Sequence, residues 1–161
     1  MTTVLPDPLQ RAASAIRADL PGLRRAPSRL RFLLALVAAV VLSLLACAVV
    51  AAATVAIAPG LAGYDHLRAA DWAKLTIIGV VLASLGWPVA TAIWSRARVP
   101  FLVLTLIVTV VSFAPDAWIL LQGQPAGGVL ALAVMHVLVA VATYPALVLL
   151  APQRGLARRA L

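Results

Sequence analysis

Few side chains able to move a proton, hold a metal or attack a carbonyl fall inside the apolar stretches of this 161-residue chain. The most conspicuous is His136, the one ionisable group in the run Val129 to Ala151. Neutral imidazole offers one donor and one acceptor, so such a group can relay a proton, ligate a metal or haem, or hold a quinone oxygen. A metal needs further ligands at the same depth. His66 falls in a loop and Asp116 reads at the outer boundary, as a helix cap before a proton acceptor. No metal or cofactor is therefore expected, and His136 is expected to be uncharged and satisfied by a hydroxyl of another run or by a backbone carbonyl. The single cysteine, Cys47, lies far from any base and reads as a small packing residue.

The remaining polar side chains fall at helical spacing. Ser43, Cys47, Ala51 and Thr54 share one stripe, Thr105, Thr109 and Ser112 a second, and His136, Ala140 and Thr143 a third. Thr76, Ser84, Trp87 and Thr91 make a similar face. Small and weakly polar residues let membrane helices approach closely, so these stripes are expected to be packing surfaces, with a substrate path as the alternative. The span-three hydroxyls are expected to meet the Ser43 stripe or the face containing Ser84 and Thr91.

Such spacing needs helices, and the composition says where they sit. With 64% hydrophobic and 11% charged residues, the chain departs from the roughly 45–50% and 25% of soluble domains. An all-α integral membrane four-helix bundle is expected, as one membrane domain over residues 29–151 between basic tails at 1–28 and 152–161. The net charge of +8 does not signal nucleic acid, because the arginines flank the apolar runs, where topology and anionic lipid headgroups account for them.

In chain order, Asp7-Pro8 and Pro21-Gly22 bracket a short amphipathic segment with Leu9, Ala13, Ile16 and Leu20 on one side, expected to lie on the membrane surface. Phe32 to Ala58 is the first span. It is too long for the core of a cleaved leader and is expected to remain as an anchor. After a mixed-charge loop, the second span runs from about Leu75 to Trp94, with a kink expected at Trp87-Pro88. Spans two and three form a hairpin across Ser95 to Pro100. The third is cleanly apolar from Val99 to Ala114, and Pro115-Asp116 is expected to end it, leaving 117–121 as a brief interfacial helix carrying Trp118, with a kinked continuation of the span as the alternative. The fourth runs from Val129 to Ala151. Eleven arginines lie in the tails and the second loop, against Arg68 and Lys74 in the other loops, so both termini are expected to be cytoplasmic.

With the spans placed, Val134-Met135-His136-Val137-Leu138-Val139-Ala140 and Ser112-Phe113-Ala114-Pro115 resemble elements of an uncharacterised family of small four-span membrane proteins found mainly in actinobacteria. The resemblance covers about residues 30–151. It implies a fold and a bacterial cytoplasmic-membrane location, and adds no catalytic residue. The expected function is non-catalytic, as an oligomeric or accessory membrane subunit; the alternative is a small-molecule transporter or ligand-binding bundle using His136. An enzyme is disfavoured, because no nucleophile is paired with a base in a shared layer.

Overall fold

The computed structural model describes residues 11, 17–19 and 25–154. Leu9, Ala13, Ile16 and Leu20, which carry the expected surface helix, and residues 155–161 lie outside the described residues.

Among the described residues there are four helical spans, each long and apolar enough to cross a membrane. The first, α1 (Arg29–Ile57), starts where the Ser28 hydroxyl accepts from the Arg31 amide at 3.3 Å, one of the orphan donors of a helix start. Two short 3-10 turns follow, Pro59–Leu61 and Asp65–Leu67. The second span comprises α2 (Ala69–Ser84) and α3 (Gly86–Ile93). Its start lies six residues before Leu75, since Asp71 and Lys74, read from sequence as loop, pair at 3.4 Å within the first turns. The interruption at Leu85 has a clear cause: Pro88 has no N–H to give the Ser84 carbonyl four residues earlier, and the helix re-forms one residue on.

Span three is α4 (Arg98–Leu121), and it runs straight through Pro115. The expectation that Pro115-Asp116 ends the span is corrected: residues 117–121 continue the helix. The proline removes one bond, to Val111, in a helix whose other backbone groups have nowhere better to go in lipid, so continuation is favoured over a break. Span four is α5 (Ala126–Leu150), beginning three residues before Val129 and passing through Pro145.

Helix α1 packs along α5 and is flanked by α2, while α4 packs on α5 and also meets α3 across their short turn. The centre of α1 is a ladder of small residues, Ala35, Ala39, Ser43 and Cys47, each at most 1% exposed. That four-residue repeat lets neighbouring backbones close in without bulky side chains between them. Large apolar residues on the outer faces, such as Leu33, Val49, Leu82, Val110 and Leu149, are exposed, as lipid-facing positions are.

The end of the bundle at which α1 begins and α5 ends is fastened by polar groups. The Trp87 indole, fully buried, donates to the Ala151 carbonyl at 2.7 Å. The Gln153 amide donates to the Thr91 and Trp94 carbonyls at 3.2 and 2.7 Å, and its oxygen accepts from the Ala97 amide at 3.4 Å. One side chain thus satisfies orphan groups at the end of α3 and the start of α4. Phe101 lies between Trp87 and Tyr144, with ring centroids at 5.2 and 5.7 Å.

Candidate functional site

At the opposite end of the bundle, α4 and α5 bring together the two ionisable groups that the sequence reading kept apart. Asp116 is five residues from the end of α4, about 8 Å along the axis, and His136 ten residues from the start of α5, about 15 Å. Their side chains meet, with His136 Nδ1 3.1 Å from Asp116 Oδ2. The assignment of Asp116 as a helix cap is therefore corrected, and of the two partners expected for His136, a hydroxyl or a backbone carbonyl, the structure supplies the carbonyl. Because α4 does not stop at Pro115, it carries the carboxylate onto the face that packs against α5, and Asp116 is the most deeply buried acid among the described residues.

The same Nδ1 lies 2.9 Å from the carbonyl oxygen of Leu132, one turn earlier. A carbonyl oxygen accepts and never donates, so Nδ1 carries the hydrogen and gives it to Leu132. Asp116 Oδ2 sits beside that N–H within ion-pair distance but is not aligned as its acceptor. Two consequences follow for the ring. Its orientation is fixed from two sides, and in the neutral tautomer Nε2 is left as an acceptor. The ring also meets Phe113 edge-on at 6.1 Å, and its side chain is 38% exposed, against 9% for Asp116. The imidazole is anchored on one edge and open on part of its surface.

The loop between spans one and two covers this end. Tyr64 packs its ring on Gly128 in the first turn of α5; a Cβ there would lie 2.5 Å from the ring, so only glycine fits. His66 meets Tyr64 edge-on at 5.2 Å. The Tyr64 hydroxyl is buried and makes no hydrogen bond, as is Asp116 Oδ2. Burial, and then the Asp116 charge, push the Tyr64 phenol above its ordinary value of 10.0. Tyr64 and Gly128 were not read from the sequence as site residues. The Gly127-Gly128 pair opening an otherwise bulky span was the available signal.

The other polar candidates are distributed through the bundle. Ser43 and Thr143 meet across α1 and α5 at 3.5 Å, and Cys47 contacts the Thr76 hydroxyl at 3.6 Å. Thr105, Thr109 and Ser112 form the half-buried face of α4, yet each donates to a carbonyl of its own helix, at 2.9, 2.8 and 2.7 Å. Their expected hydroxyl contact with span one or span two is replaced by this internal satisfaction, which costs no alignment with a neighbour. Among the described residues no group of three or more His, Cys, Asp or Glu is placed to hold a metal ion. The chain matches no family model, no curated protein and no solved structure.

Proposed function

We propose that this chain is a non-catalytic, multi-pass protein of the bacterial cytoplasmic membrane that binds a membrane-soluble ligand through Nε2 of His136. The observation that carries the reading is the hydrogen bond of Nδ1 to the Leu132 carbonyl, with the Asp116 carboxylate beside it, which presents Nε2 as an acceptor from an oriented, part-exposed ring. The ligand this chemistry selects is an apolar molecule bearing a hydrogen-bond donor, such as a hydroxyl, in preference to one offering a carbonyl. The hydroxyls of α4 support a non-catalytic role, because all three are committed to their own backbone. In this reading both termini are cytoplasmic, as the arginine distribution predicts, the loop end is external, and the resemblance to the small four-span actinobacterial family is one of kinship.

The test uses protein labelled with 15N-histidine in lipid nanodiscs, titrated with a long-chain alcohol and the ketone of equal length. The alcohol is expected to move the His136 Nε2 resonance and the ketone to leave it in place. Equal response to both, or none to either, contradicts the proposal. An oligomeric or accessory role is the second reading, favoured by α4, the least buried of the four spans. Crosslinking in native membranes that yields monomer alone would count against it.

A further inference from the structure

A second site lies at the other end of the bundle and is independent of the histidine. Between α3 and α4 runs an apolar groove of about 380 Å³, bounded by Leu85, Val89 and Ile93 on one side and Pro100 and Leu104 on the other. It lies beside the short turn, 94–97, that joins the two helices, and at its deep end Gly86 has no side chain where Leu104 and Phe101 approach. From Leu85 to Trp94 the groove extends nine residues along the second span, about 13 Å, close to half of a hydrocarbon core of about 30 Å. It therefore has the depth of one leaflet, measured from the face at which α1 begins and α5 ends.

Cations stand at its shallow end. Arg96 and Arg98, both exposed, flank Ala97 between the last residues of α3 and the first turn of α4, and neither forms an ion pair among the described residues. The turn that carries them is fixed: the Ala97 amide is held by Gln153, and the Ser95 amide and hydroxyl by the Asp19 carboxylate, the amide at 2.6 Å. Asp19 is the acid described on this face, and its oxygens are engaged by Ser95. Trp94, half-buried, lines the groove at the same level, where an indole favours the headgroup boundary. An apolar slot one leaflet deep, ending at two unpaired arginines on a rigid turn, matches an anionic lipid in both halves.

We propose that the groove seats an acyl chain of one anionic phospholipid, with its phosphate held by Arg96 and Arg98. A generally basic surface would gather anionic lipid without fixed stoichiometry. The groove adds a defined seat, and with it retention through purification.

Native mass spectrometry of the full chain tests this, after delipidation in detergent and addition of phosphatidylglycerol or phosphatidylcholine with identical chains. One phosphatidylglycerol should be retained, with a preference of about tenfold or more from two arginines near the surface. The double variant Arg96→Gln with Arg98→Gln should bring the preference close to one. Val89→Trp, at a lipid-exposed position, should fill the groove and release the lipid while helix content by circular dichroism is kept. Equal retention of the two lipids overturns the proposal. So does loss in the arginine variant without loss in Val89→Trp, which would leave a headgroup attraction and no seat. A lipid-free dimer that Val89→Trp dissociates would assign the groove to a second copy of the chain instead.

Discussion

His136 is held at Nδ1 by a carbonyl of its own helix and flanked by a carboxylate from the neighbouring one, so its substitutions should rank by what they leave behind. His136→Leu removes the polar ring edge that lies 3.1 Å from the buried Asp116 carboxylate and replaces it with an apolar group, and should cost about 1–3 kcal/mol in reversible unfolding from mixed micelles. His136→Gln keeps an amide donor at similar reach and should cost clearly less. Equal losses would mean that the ring acts by bulk alone. Tyr64 offers a pH test outside the spans. Its raised phenol keeps its proton in the folded state while an unfolded chain loses it near 10.0, so stability should fall as pH rises past that value. In a Tyr144→Phe background, tyrosinate absorbance should have its midpoint above 10.0, and a midpoint at or below it would contradict the burial of Tyr64. Of these residues, His136 was legible as a candidate because ionisable groups are rare at membrane depth. Its partner was not, since the decision about Asp116 turned on whether Pro115 ends a helix, and sequence alone favours the wrong answer there.

At the scale of elements, the proline positions separate what local rules decide from what packing decides. Pro88 does interrupt its helix, about one turn earlier at Leu85, next to Ser84, whose carbonyl it leaves without a donor. Pro115 and Pro145 do not interrupt theirs. Pro115→Ala should therefore leave span three in place and be neutral or mildly stabilising, because it restores a donor to the Val111 carbonyl. The first turn of α5 is set by a closer constraint. Gly128→Val must displace the Tyr64 ring and should cost about 1–3 kcal/mol by overpacking, whereas a substitution at Gly79, which nothing approaches within 4 Å, should be mild. Similar tolerance at the two glycines would remove Tyr64 from its place over α5. The small-residue ladder of α1 was readable from its four-residue spacing, and the structure extends it back to Ala35 and Ala39. The Gln153 clamp was not, because a glutamine just past the last span has no local pattern and acts on carbonyls about 60 residues away.

The whole molecule is a bundle with unlike ends. One is closed by Trp87, Gln153 and an aromatic stack and is surrounded by arginines; the other holds the Asp116–His136 pair under the loop that carries Tyr64. The number of spans and the pairing of two and three followed from hydropathy and the short turn at 94–97. Which spans pack side by side did not, since every span is apolar on most of its surface and a small-residue stripe does not say which neighbour it packs on. The arginine distribution predicts that a cysteine at Asp65 reacts with impermeant thiol reagent in intact cells and one at Ser28 does not; the reverse pattern would invert the bundle. The central claim is that spans three and four share one polar site, and a distance within the site decides it. Dipolar recoupling by solid-state NMR in lipid bilayers, between 13C in the Asp116 carboxyl group and 15N at His136 Nδ1, should show strong dephasing, as a 3.1 Å contact between Nδ1 and Oδ2 requires. Absence of dephasing would separate the two residues and, with them, the site.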